Sequence, residues 1–350
     1  MMNEYIKLLQ KLISTQSFSR EEENAAQLIR SFLFEKEILY QEKGNNTWAR
    51  NRFWTDGLPV ILLNSHVDTV KPAKGYTRDP FMPDIEDGKL FGLGSNDAGG
   101  PLVSLLAVFV HFFQKENLPF NLIYAATAEE EVSGTNGVES ILSELGSIDL
   151  AIVGEPTKMQ MAIAEKGLMV LDCVAYGKSG HAARNEGVNA IYKAIKDIEI
   201  IRNYKFKKTS ELLGEVKMTV SLINAGTQHN VVPDQCSFVV DVRTNEHYSN
   251  EKAFEIINGL IESEVKPRSF RLNSSGIPVT HPIVERGVSL GLSYYGSPTT
   301  SDQAVMSHPS IKIGPGDSAR SHTADEFIYL QEIEEAFHIY VKLLNGLQLK

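Results

Sequence analysis

His66 and Asp68 close the stretch "NSHVDTV", which directly follows the apolar run "LPVILL". Residues two apart share a face of a strand, so the pair suits a ligand and its orienting partner. Three more acidic stretches follow strand-like runs: Asp97 in "FGLGSNDAGG", Glu129–Glu130–Glu131 in "AATAEEEVSG", and Glu155 in "AIVGEPT". His322, in "IKIGPGDSARSHTADEF", comes from a late segment. A lone histidine at a strand end is usually a hydrogen-bonded structural residue. A lone aspartate beside glycines usually makes a turn, and three glutamates usually form a solvated face. Their occurrence together at five strand exits calls for another explanation. Crowded like charges cost free energy unless cations neutralise them. Two imidazoles and three carboxylates make a mixed nitrogen and oxygen donor set, which suits zinc, with cobalt or manganese as substitutes.

The elements that must position these residues alternate at first. Helices are expected over residues 3–14 and 22–37, then a strand in "LPVILLNS", a helix through "SLLAVFVHFFQKEN", and strands in "FNLIYAAT" and "DLAIVGE". Near-continuous apolar strands separated by helices imply an α/β fold, with a mostly parallel sheet covered on both faces. Ligands of such sheets gather beyond the carboxyl ends of the strands. After Glu165 the pattern changes to strand, helix, two strands, helix and a last strand in "PRSFRLN". That order, βαββαβ, is a ferredoxin-like unit. A helix near 282–294, the strand "SIKIGPG" and a helix over 330–347 return to the first style. The expected organisation is a discontinuous catalytic domain, residues 1–165 and 277–350, with residues 166–276 inserted as a lid or dimerisation domain.

Bulk properties narrow the classes. The chain has 350 residues, enough for two domains, with 42% hydrophobic and 22% charged residues. A net charge of -10 argues against nucleic-acid and anionic-membrane partners. The opening "MMNEYIKLLQKLIS" reads as an amphipathic helix rather than a signal segment, and no uninterrupted apolar run approaches a bilayer span of about 20 residues. Cys173 and Cys236 fall in strand-like stretches and read as core residues. A cytoplasmic protein is the expectation.

The motifs "SHVDTV", "GLGSNDAGG", "TAEEEVSG", "VGEPT", "GKSGHAA", "NVVPD", "DVRT" and "GPG…SHTADEF" run in order along nearly the whole chain. Together they resemble the M20 family of dinuclear zinc peptidases and deacylases. The family's usual Asp-Glu-Glu triplet reads Glu129-Glu130-Glu131 here, and Leu93 and Ser95 stand where its Gly-rich stretch usually carries an arginine. The resemblance implies two zinc ions. Asp97 would bridge them, His66 and Glu155 would complete one site, and Glu131 and His322 the other. Asp68 would accept a hydrogen bond from the His66 ring. Glu130 would be the general base in hydrolysis of an amide, with His181 as an oxyanion donor reaching across a homodimer formed through residues 166–276. Arg243, Asn230, Thr300 and Arg320 would contact the substrate, a small N-acyl amino acid. Acetylornithine is the leading substrate. Succinyl-diaminopimelate, acetylcitrulline, succinylornithine and di- or tripeptides are the alternatives. A catalytically silent binding protein on the same fold would be expected to lack the base or a ligand, and none is missing.

Overall fold

A computed structural model describes residues 2–349, which divide into two compact units. Of these residues the larger comprises 2–163, 276–295 and 301–349, and the smaller 164–275 with 296–300.

The larger unit is built on a mostly parallel sheet. Its strands run in the order Tyr40–Lys43, Asn46–Arg50, Asn121–Thr127, Val60–His66, Leu150–Val153, Ser310–Lys312 and Met161–Glu165. Val60–His66 lies parallel to both Asn121–Thr127 and Leu150–Val153, and Ser310–Lys312 is parallel to Leu150–Val153. All seven residues of Val60–His66 are buried, as are all seven of Asn121–Thr127. Strands covered on both faces carry no polar alternation, which is why they read as short apolar runs. The register places His66 opposite Thr127 and Asn64 opposite Val153. Their carboxyl ends therefore emerge at one rim.

Helix Gly100–Phe113 packs into the core with Pro101 in its first turn, where a missing N–H costs nothing. It is apolar on nearly every side, as a fully enclosed helix must be. Ser95–Phe113 taken together is long and apolar enough to cross a membrane by length and composition, although Ser95, Asn96 and Asp97 interrupt its apolar run. However, 78% of that window is buried inside the protein, as in a core helix. Helices Asn3–Ile13 and Leu330–Leu344 bury one stripe each.

The smaller unit has the order strand Met169–Tyr176, helix Ala190–Asn203, strands Lys217–Ala225 and Gln235–Arg243, helix Asn250–Asn258 and strand Glu264–Pro267, with a short strand pair, Gly180–His181 with Val231–Val232, alongside. Its sheet order, Lys217–Ala225, Gln235–Arg243, Met169–Tyr176, Glu264–Pro267, is antiparallel throughout. The last strand lies upstream of the expected "PRSFRLN". Pro267 ends it, because proline has no N–H for a ladder and is tolerated only at such an edge. Cys173 and Cys236 are buried free thiols of this core.

Candidate metal centre

Six side chains converge at the rim of the larger sheet. His66 is the last residue of its strand. Glu130 and Glu131 form a short 3-10 turn just past Asn121–Thr127, and Glu155 lies two residues beyond Leu150–Val153. Asp97 arrives on the turn that leads into helix Gly100–Phe113, and His322 follows strand Ser310–Lys312. One Asp97 oxygen lies 3.3 Å from His66 Nε2, and the other lies 3.7 Å from His322 Nε2. Each imidazole has a second acid: Glu155 Oε1 is 3.7 Å from His66 Nε2, and Glu131 Oε2 is 2.9 Å from His322 Nε2. Donor atoms of His66, Asp97 and Glu131 all lie within 4.8 Å of one another, and so do those of His66, Glu130 and Glu155.

The electrostatics are those of acids forced together. Burial, then the charge of Glu155, pushes Glu130 well above the ordinary carboxyl range. Burial and the Asp97 charge push Glu155 up to about 8. Burial also raises Glu131, although its hydrogen bond to His322 opposes this. That same bond raises His322 to about 9. For His66 burial works against charging, but contacts with Asp68 and Asp97 outweigh it and raise the ring. Burial works to raise Asp97 too, yet its close contact with the His66 ring holds it below the usual range.

These residues fit a divalent-cation pair. His66 Nε2, Glu131 Oε1 and Glu155 Oε1 are buried and have no hydrogen-bond partner among the described residues. Buried polar atoms of this kind are rare without a ligand to satisfy them. Asp97, with an oxygen toward each histidine, has the shape of a bridging carboxylate.

Asp68 behaves differently from the expectation. The strand ends at His66, so the two do not share a pleat. The Nδ1 of His66 lies 2.9 Å from the backbone carbonyl of Asp68, whereas the Asp68 carboxylate is 3.5 Å from it. That carboxylate accepts instead from Ser19 Oγ at 2.8 Å and from the amides of Glu130 and Glu131, each at 3.1 Å. Glu326, which sequence reasoning missed, does the same for the bridging residue. It is 2% exposed, and its Oε1 accepts from the amides of Asn96 at 2.8 Å and Asp97 at 2.9 Å. Its place four residues after His322 was the only available signal.

The remaining expected site residues are placed as follows. Arg320 is engaged by both oxygens of Glu332 at 2.8 Å and stacks over Phe327 and Tyr329. In the smaller unit, His181 pairs with Val231, its Nδ1 accepts from the amide of Ala183, and the Asn230 carbonyl accepts from Ala182 N. His181 thus stands on a strand beside the turn that holds Asn230. Arg243 is gripped by Asp241 through Nε and one terminal nitrogen, while its other nitrogen donates to Thr300 Oγ1 at 3.3 Å.

Known proteins share this framework. A succinyl-diaminopimelate desuccinylase of Wolbachia pipientis subsp. Culex pipiens (strain wPip) is 27% identical, covering 97% of this chain and 92% of its own length. An acetylornithine deacetylase of Buchnera aphidicola subsp. Acyrthosiphon pisum (strain Tuc7) is 26% identical, covering 81% of this chain and 80% of its own. The crystal structure of a dinuclear metal-binding peptidase from Bacillus subtilis superposes with a TM-score of 0.73 at 17% identity, covering 99% of this chain and 98% of its own. Residues 62–346 match the peptidase family M20/M25/M40, and the chain belongs to that family of hydrolases.

Proposed function

We propose that the larger unit holds two zinc ions and hydrolyses the amide bond of a small N-acyl amino acid. The observation that carries this reading is the Asp97 carboxylate, with an oxygen toward each of two histidines that are themselves backed by Glu155 and Glu131. The mixed nitrogen and oxygen donor set favours zinc, with cobalt or manganese as working substitutes. Two such ions would polarise the substrate carbonyl and lower the pKa of a water toward neutrality. His66 and Glu155 would hold one ion and His322 and Glu131 the other, with Asp97 shared between them. Glu130 takes a proton from the attacking water and delivers it to the leaving amine. A carboxylate close to the ions but not spent on holding them suits both halves of that task. Arg243 retains N–H groups beyond those given to Asp241 and Thr300, and these suit a substrate carboxylate.

The smaller unit is assigned to dimer formation, with His181 donating to the oxyanion of the partner's substrate and Asn230 beside it. Exposed Leu222 and Ile223 on the outer strand, and exposed Tyr192 on its helix, support an interface there. Acetylornithine is the first substrate choice. Succinyl-diaminopimelate is the second, favoured by the relative that covers 97% of this chain against 81% for the deacetylase. A hydrolysis panel of acetylornithine, acetylcitrulline, succinylornithine, succinyl-diaminopimelate and short peptides, with zinc or cobalt added, tests the reading. Metal content should approach two per chain, and chelation should abolish turnover. Failure to cleave any member in the metal-loaded state sinks it.

A further inference from the structure

The turn that carries Glu130 is held by its backbone rather than by packing. Four successive amides each donate to a side-chain oxygen. Ala128 N reaches Asn46 Oδ1 at 3.0 Å, Glu129 N reaches Glu22 Oε1 at 3.2 Å, and Glu130 N and Glu131 N reach the two Asp68 oxygens at 3.1 Å. Asp68 belongs to a motif. Glu22 and Asn46 do not, and both lie before residue 62, where the family match begins.

Glu22 is fully buried. Its Oε1 also accepts from Arg20 N, and its Oε2 accepts from Asn45 Nδ2 at 2.8 Å. A buried carboxylate surrounded by N–H donors is well satisfied and sits in a fixed place. It reaches this place because the chain between the first two helices runs beside the rim: Thr69 N donates to Ser17 O at 2.8 Å, and Ser19 meets Asp68.

The residue it grips is unusual. Glu129 has φ +57°, in the left-handed region. Side-chain-bearing residues rarely adopt this conformation, and glutamate lacks the short side chain that helps asparagine and aspartate do so. Such a conformation persists only where the surroundings impose it. Here the grip on its amide from Glu22 is joined by a hydrogen bond from Asn136 Nδ2 to its carboxylate at 2.9 Å. The backbone angles of Glu129 set the direction in which Glu130 leaves the turn.

We propose that Glu22 is a positioning residue for Glu130: by holding the Glu129 amide it fixes the left-handed turn and so aims the proton-carrying carboxylate. The proposal rests on the reading of Glu130 as the base. Reach, rather than charge, is the property required of Glu22.

Two substitutions separate reach from charge. Glu22→Gln keeps the length and offers an oxygen to Glu129 N, whereas Glu22→Asp keeps the charge but withdraws it by one methylene. With a substrate that the parent protein cleaves, Glu22→Asp should lower kcat about 10- to 100-fold with KM and zinc content unchanged, and Glu22→Gln should stay near the parent. Amide hydrogen exchange of the peptide spanning Ala128–Glu131 should quicken in Glu22→Asp while the rest of the chain keeps its protection. Parent kcat and parent exchange in Glu22→Asp would overturn the proposal, as would losses that follow zinc content in both variants. A parent protein that cleaves nothing counts against the proposed function instead, and the exchange measurement still decides whether Glu22 holds the turn.

Discussion

The backbone amide of Glu131 donates to the carboxylate of Asp68 at 3.1 Å, and the neighbouring amide of Glu130 takes the other oxygen. Asp68 therefore supports the acidic turn, while its backbone carbonyl, not its carboxylate, receives the His66 ring. Asp68→Asn keeps the shape but offers one acceptor to two amides. Turnover should fall about 10- to 100-fold. Zinc at the His66 site should survive, because Nδ1–H keeps its carbonyl partner and leaves Nε2 for the ion. Paired kcat and metal measurements check this. A protein that loses its metal instead would show the carboxylate to be the orienter of the ring.

Glu130 stands within 4.8 Å of donor atoms of both His66 and Glu155, close enough to serve as a base or to bind an ion. Glu130→Gln distinguishes the two. As the proton carrier, its loss should lower kcat by about 10²- to 10⁴-fold while two zinc ions per chain remain. A fall in bound zinc would make it a ligand. Metal analysis on the same preparations as the kinetics gives the answer.

The residues at the strand exits were legible because an apolar run that stops at an ionisable residue marks both the strand and its rim. His66, Glu131 and Glu155 show this directly, and Asp97 follows from the glycines around it. The parts acting through backbone amides were not legible. Glu22 stands in "REEEN", which reads as the solvated start of a helix, and the helix does begin at Glu23. Only the path of the chain beneath Thr69 turns Glu22 inward. Asn46 belongs to a hairpin with no motif. The last strand of the smaller unit was misplaced because "SFRL" looks better suited to a strand than "EVKP", whereas the register against Leu171–Val174 selects the latter. Edge-strand propensity is weak beside pairing.

The acid cluster makes stability depend on pH in a direction set by its shifts. Glu130 and Glu131 are raised, Glu155 to about 8, and His322 to about 9. Ordinary values for these groups are 4.5 for the carboxyls and 6.5 for the imidazole. The folded chain therefore binds more protons than the unfolded chain between about pH 5 and pH 8, and stability of the chelated protein falls as pH rises through that window. Asp97 and Asp68, held low, are already ionised there and add no slope. Zinc replaces the protons, so its affinity should rise with pH and remove the loss. Thermal melts with chelator and with zinc across this range check the pair of slopes. A chelated protein that grows more stable toward pH 8 would contradict it.

Gly314 sits against the backbone of Glu155. A Cβ there would lie 2.4 Å from the Glu155 carbonyl oxygen and 3.1 Å from its nitrogen, and no side-chain rotation can relieve a clash with main chain. Gly314→Ala must therefore move the segment that presents Glu155. Such overpacking costs about 1–3 kcal/mol, which a chain of this size can absorb while staying folded. The displacement falls on one half of the metal pair, the half shared with His66, so one ion should weaken about 10- to 100-fold and the other much less. Zinc titration should then show one tight and one weak site where the parent shows two tight ones. Gly259→Ala is the control, since a Cβ there meets nothing closer than 3.4 Å and Gly259 lies in the smaller unit, outside the metal centre. Equal weakening of both ions by Gly314→Ala would mean that Asp97, rather than Glu155, responds to the displaced segment.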